Sequence, residues 1–220
     1  MRTVATKTVL LALSLLFAAA GASAQPESLF KVVYSNPQLV PGLWMLEFHP
    51  DGTGHFRTER GAASSGEGIE AANIDRDVQL SGQFARHVFD VAEHKRLFTG
   101  GCDGHLKVAF QGIKRFSYTG PAGQGSCEFN YSKDPDIQSL SDALLSVANT
   151  LLEGARLQAL LTYDKLGLDR ETEILAESAA EGRAQQIGSI RDILERLADD
   201  PAVMERVKRR ARALLARASD

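Results

Sequence analysis

The chain has 220 residues, enough for one medium domain or two small ones around a buried core. Hydrophobic residues at 44% and charged residues at 24% exclude a collagen-like, low-complexity or globally disordered polymer. A formal net charge of −3 leaves no basic excess to grip a phosphate backbone, so no nucleic-acid partner is expected.

In chain order the first element is an export signal. Arg2 and Lys7 make a positive start, Val9 to Ala20 is an apolar run, and Ala22-Ser23-Ala24 supplies the small residues that signal peptidase reads. The run is shorter than the ~20 residues of a spanning helix, and its small-residue exit follows at once. The predicted cut falls between Ala24 and Gln25, so residues 1–24 are read as a signal peptide. Loss of Arg2 and Lys7 then raises the acidic excess from three to five charges. No Cys stands just after the cut to carry a lipid anchor. The mature protein is expected in the periplasm or outside the cell.

The mature chain has two unlike parts. Thirteen of fifteen aromatic residues lie between Phe30 and Tyr131, and six of seven prolines occur by Pro135. From Asp136 onward Ala, Leu, Glu and Arg dominate, all strong helix formers. The boundaries read from this are an α+β domain over 25–135 and a helical region over 136–220.

Within 25–135 several stretches alternate with period two. Trp44, Leu46 and Phe48 point one way, Pro50-Asp51-Gly52 offers a turn, and Phe56 and Thr58 return on a partner strand. Leu106, Val108 and Phe110 predict another strand, reversed at Gly112 and continued by Phe116 and Tyr118. Cys127, Phe129 and Tyr131 predict one more. Together they read as an antiparallel meander with one apolar face. Ser81 can cap a helix carrying Phe84, Val88 and Val91, expected to lie across that face. Gly61 to Gly68 reads as a loop tip.

Over 136–220 the spacing of Leu140, Leu144, Val147 and Leu151 predicts a long helix from about Ile137 to Tyr163, ended by Gly167. Asp169 is expected to cap the next helix, with Glu171 and Glu173 in its first turn. Gly182 separates a third, carrying Ile187, Ile190, Leu194 and Leu197. Asp200-Pro201 is expected to open a last helix running through Leu215. The fold class predicted is α+β: an antiparallel meander with one packed helix, then a long helix and a small helical bundle.

Cys102 and Cys127 are the only cysteines, and an even count in an exported chain reads as one structural disulfide. The competing arrangement makes Cys102, His105 and Cys127 three ligands of a metal site, which lacks a fourth. No cofactor and no metal is expected.

Other chemistry is sparse. His49 and His55 flank the Asp51-Gly52 turn and make half a metal site at best. His87 and His94 share a helix face but stand two turns apart. Gly125-Ser126-Cys127 lacks the flanking glycine of a nucleophile elbow, and Ser64 and Ser65 have no fixed base beside them. Gly52-Thr53-Gly54 lacks the phosphate-loop Lys-Ser/Thr. Asn73, Asp75 and Asp77 imitate the start of a calcium loop, but Val78 stands where the sharp turn needs Gly. The last helix is basic and amphipathic. Arg206, Lys208, Arg209, Arg210 and Arg212 are candidate contacts for anionic lipid or an acidic partner, against Val203, Val207, Ala211, Leu214 and Leu215 on the apolar side. The plainer reading pairs Glu205 with Arg209 and turns the remaining cations toward Asp192, Glu195, Asp199 and Asp200.

The leader, the Asp51-Gly52-Thr53-Gly54 turn, the helix from Phe84 to Phe98, Gly101-Cys102-Asp103-Gly104 and the Pro135 helix start resemble uncharacterised exported bacterial proteins. The resemblance covers about the first two-thirds of the mature chain. It implies export and brings no activity or functional residue with it. The leading expectation is a secreted or periplasmic, non-enzymatic module that binds another macromolecule. One alternative is a small hydrolase or metal-dependent enzyme using His49, His55 or His105 with nearby carboxylates. The other is an envelope-associated protein whose last helix meets anionic lipid.

Overall fold

The computed structural model describes residues 27–61, 73–105 and 107–218. The expected leader, its cleavage site at Ala24 and Gln25, and all of the Gly61–Gly68 loop except Gly61 lie outside the described residues. Six strands form one antiparallel sheet: β1 (Leu29–Ser35), β2 (Leu43–Phe48), β3 (Thr53–Glu59), β4 (Asp75–Gln79), β5 (Ile113–Gly120) and β6 (Gly123–Phe129). Their order is β4-β3-β2-β1-β5-β6, so β1 is central. Helix α1 (Gly82–His94) connects β4 to β5. Helices α2 (Pro135–Tyr163), α3 (Leu168–Ala180), α4 (Arg191–Asp199) and α5 (Glu205–Arg217) follow. The α+β architecture with a long helix and C-terminal helices is as expected.

Period-two alternation sorts the sheet into two faces. Phe30, Val32, Tyr34, Trp44, Leu46, Phe48, Phe56, Phe116, Tyr118, Cys127 and Phe129 are buried on one face. Lys31, Glu47, His55 and Asp77 form a register row across β1 to β4 on the other. The β2–β3 hairpin is as predicted, with Leu46 opposite Phe56 and Trp44 opposite Thr58. Gly52 is required in its turn: its φ is +88°, and a Cβ there would stand 2.2 Å from the Leu80 carbonyl oxygen.

Two strands go beyond the expectation. β1 is nearly continuously apolar, which blurs its alternation. β4 has five residues, three of them charged. One expected strand is absent: residues 107–111 are exposed and belong to no strand, with Val108 39% and Phe110 50% exposed. Their alternation is real, but no strand of the sheet pairs with them.

Ser81 caps α1 as predicted, its Oγ accepting from the Phe84 N–H at 3.2 Å. The helix buries Ala85, Val88, Phe89 and Ala92 on the sheet, with Phe84 and Val91 at the margin. Asp134 caps α2, with Pro135 at its start, and accepts from Asp136 N–H at 3.0 Å. Lys95, just past α1, reaches Asp134 and Asp136 at 2.7 Å each, which joins the two helices. One buried cluster runs from Phe30 through Leu144 and Leu151 to Leu214, so residues before and after Asp136 share a core.

Two helix starts are corrected. Gly167, not Asp169, is the N-cap of α3, and Asp169 sits in its first turn. The last helix begins at Glu205 rather than Pro201. Asp200 Oδ1 instead accepts from Ala202 N–H at 2.7 Å, closing a turn that buries Val203. No helix among the described residues is long and apolar enough to cross a membrane.

Cys102 and Cys127 form the expected disulfide, their Cα atoms 5.6 Å apart, so neither is a thiolate ligand. The bond ties the segment after α1 to β6 over a sequence separation of 25. Replacing both cysteines by alanine is expected to cost about 3 kcal/mol of unfolding free energy, read from urea titrations of the oxidised protein and the variant.

Glu153 on α2 and Glu171 on α3 meet across the helix pair. Arg156 Nη1 lies 2.9 Å from Glu171 Oε1 and 3.7 Å from Glu153 Oε2. Burial first, then the hydrogen bond to Glu171, pushes the Glu153 carboxyl up to about 8. A raised carboxyl contributes its full stabilisation below the ordinary value of 4.5 and loses it as pH rises through about 8. Glu153→Gln cannot ionise. It is expected to stabilise the fold by about 2 kcal/mol in alkaline solution, with little change in acid, as measured by denaturant unfolding across the pH range.

Candidate functional site

A cleft of about 880 Å³ lies at the β4 margin of the sheet. One wall is the polar face of β2 to β4, and the other is a 3₁₀ turn at Ile187–Ile190 with the start of α4. Leu29, Val78, Gly54 and Gly188 give it apolar surface, while Glu47, Asp77, Asp192 and Glu195 bring carboxylates to its rim.

Short-range rules explain the strand wall. Antiparallel register places His55 opposite Asp77, and Asp75 falls two residues away on the same face. His55 Nδ1 lies 2.9 Å from Asp77 Oδ1, and its Nε2 lies 2.9 Å from Asp75 Oδ1. A carboxylate only accepts, so the imidazole satisfies both as an imidazolium. The Asp77 hydrogen bond, followed by charge attraction to both carboxylates, raises the His55 pKa above 6.5 against a desolvation cost. The clasp holds the short edge strand β4 onto β3. It also explains why Asp75 and Asp77 form no calcium loop: both lie in β4 with their carboxylates on His55.

His49 lies on the same cleft, as the hairpin reading allowed. Its Nδ1–H donates to the Ser28 carbonyl at 2.9 Å, and Glu27 stands 3.8 Å away. Arg76 joins the walls, with its Nη2 3.0 Å from Asp192 Oδ1 and 3.4 Å from the Ser189 carbonyl. Gln186 Oε1 accepts from Ser81 N–H at 2.8 Å. Gln79 Nε2 donates to the Asp51 and Leu80 carbonyls, both at 3.0 Å, which fixes the β2–β3 turn at the cleft mouth.

The other candidates are dispersed. His105 is 85% exposed beside Asp103 and does not line the cleft; His87 and His94 are exposed on α1. Among the described residues no group of three or more His, Cys, Asp or Glu side chains is placed to hold a metal ion. Both nitrogens of His55 are engaged by carboxylates, so it activates no hydroxyl.

On α5 the cations find acids on α3 rather than on α4. Arg206 Nε is 2.7 Å from Asp169, and Arg210 reaches Asp169 at 2.6 Å and Glu173 at 3.1 Å. Glu205 pairs with Arg212 at 3.2 Å and Lys208 at 3.9 Å rather than with Arg209, which is exposed. Asp192, Glu195 and Asp200 are taken by Arg76, Arg191 and Lys165. Val207, Ala211 and Leu214 are buried in the bundle. Arg76, Gln79, Asp192 and Glu195 were not legible as site residues, although the alternating Asp75-Arg76-Asp77 opposite a histidine strand was an available signal.

The chain matches no protein-family model and none of the curated proteins.

Titration of the His55 ring by NMR is expected to show a midpoint above 6.5. A raised histidine pKa contributes stability fully below 6.5 and loses it as pH climbs through the raised value. Asp77→Asn is expected to bring the midpoint down toward the ordinary histidine value, and an unmoved midpoint counts against the clasp.

Proposed function

We propose that this chain is an exported, disulfide-bonded binding module, non-enzymatic, that takes a segment of another macromolecule into the cleft between the β2–β4 face and α4. The observation that carries the reading is the cleft itself: apolar patches flanked by paired charges, on walls joined by Arg76–Asp192 and Gln186–Ser81. A cleft on such a framework loses little conformational freedom when it binds. The state of the histidines supports binding over hydrolysis, because His55 is held between two carboxylates and His49 donates to a backbone carbonyl. The disulfide supports an oxidising compartment, in line with the leader pattern. Ion pairing of Arg206, Arg210 and Arg212 within the bundle, with burial of the apolar side of α5, weighs against lipid contact as its main role.

The test starts from protein recovered from the envelope of the producing cell, which is expected to begin at Gln25 by mass spectrometry. Used as bait in envelope extract, it is expected to capture a partner that the charge-reversed variant Glu195→Lys does not, since that side chain is exposed on the α4 wall of the cleft, outside the His55 clasp. Equal capture by both proteins would remove the cleft from the account. An intracellular form that keeps its leader would remove export.

A further inference from the structure

Ion pairs along the cleft are buried unevenly. The Arg76 side chain is 21% exposed against 62% for Asp192, and that of His55 is 33% exposed against 97% for Asp77 and 66% for Asp75. In these contacts the base lies inward and the carboxylate outward, so an incoming ligand meets negative charge first. The contacts run through Oδ1 of each aspartate, and a carboxylate accepts from more than one donor. Asp75 and Asp77 share one imidazolium, which leaves an excess of negative charge on the strand wall. On the helix wall Glu195 meets Arg191 at 3.9 Å, a separation at which an exposed pair attracts weakly.

Asp192 also lines two further hollows that adjoin the cleft. One, of about 500 Å³, is lined by Asn73, Asp75 and Gln158 among others, and the second, of about 680 Å³, by Leu161, Glu195 and Asp199. Among the described residues, seven carboxylates line the three spaces against three guanidinium groups and two imidazoles. Short apolar surfaces lie between the charges: Leu29 and Val78 in the cleft, Ala155 and Leu161 beyond Asp192. In the α4 wall, Ser189 lines the cleft at 5% exposure, and its Oγ meets no hydrogen-bond partner among the described residues. A buried hydroxyl without a partner is costly, and a polar group of a ligand at that wall can complete it.

We infer that the occupant of the cleft is a basic segment of a protein, one that carries lysine or arginine side chains; this rests on the binding role proposed for the cleft and names the chemistry of its partner. Charge complementarity selects this occupant. A lysine or arginine matches both surfaces on offer, with an aliphatic stem for the apolar strips and a cationic head for the outward carboxylates. An acidic segment would meet like charge along both walls. A purely apolar one would cover carboxylates without pairing them. The acidic excess of the mature chain draws a basic partner toward it. Because the carboxylates are exposed, the attraction is screened by salt.

The test is fluorescence anisotropy of the mature, oxidised protein with labelled short peptides of alternating lysine and valine or of alternating glutamate and valine. At low salt the basic peptide is expected to bind tighter by about tenfold or more, and to lose most of that margin at about 0.5 M sodium chloride. Glu195→Lys is expected to weaken the basic peptide by about fivefold or more while keeping the thermal midpoint of the parent, since the side chain is exposed. Carbodiimide coupling joins a bound lysine to a touching carboxylate as an amide, with loss of water. Peptide mapping is expected to place the cross-links on Asp77, Asp192, Glu195 or Asp199. Equal binding of the acidic peptide, cross-links confined to carboxylates outside these three spaces, or spermidine binding as tightly as the basic peptide would each overturn the assignment. If Glu195→Lys still loses its partner in envelope extract, such a failure sinks the basic segment alone; if capture is also unchanged, the cleft falls with it.

Discussion

The sheet half depends on the burial of Phe30. It sits on the central strand, fully buried, with its ring centroid 5.5 Å from Phe48, 5.6 Å from Phe116, 6.0 Å from Phe98 and 6.5 Å from Phe89. Those four rings come from β2, from β5, from a 3₁₀ turn at Arg96–Phe98 and from α1, so one side chain ties both flanks of the sheet to the layer above it. Burying one such side chain is worth roughly 1.5–3 kcal/mol, and tilted or edge-to-face ring pairs add about 0.5–1.5 kcal/mol each. Because the aromatic residues are gathered on this face, the opposite face is left to charged and polar rows, and those rows line the cleft.

The second constraint is electrostatic. The five-residue edge strand β4 is held by its backbone ladder to β3 and by burial of Val78 between Ile74 and Leu80. His55 from β3 and Arg76 reaching Asp192 add ion pairs on its polar face. The edge that would otherwise stand open is thereby met by the turn at Ile187–Ile190. The contacts that protect the edge also close one wall of the cleft, so stability and the candidate site share residues there.

The alternation over Trp44–Thr58, the caps at Ser81 and Asp134-Pro135, and the leucine spacing of α2 were legible because each is set by residues within a turn or two of one another. The disulfide was legible because only two cysteines exist. β1 was not, since a strand flanked on both sides carries apolar residues at positions facing either way. Val108 and Phe110 misled for the opposite reason: they alternate as a buried strand does, and nothing local reveals that the sheet never reaches them.

By itself the amino-acid order determined the local elements, the covalent cross-link and the division into an aromatic part and a helical one. Only the tertiary structure decided which acid meets which base: Asp169 rather than Asp200 for the α5 arginines, Asp75 and Asp77 for His55, and Asp192 for Arg76. The physical reason is range. Backbone propensity and capping act over one helical turn or one hairpin, whereas an ion pair across a cleft depends on where whole elements come to rest, and the packing of the shared core sets that.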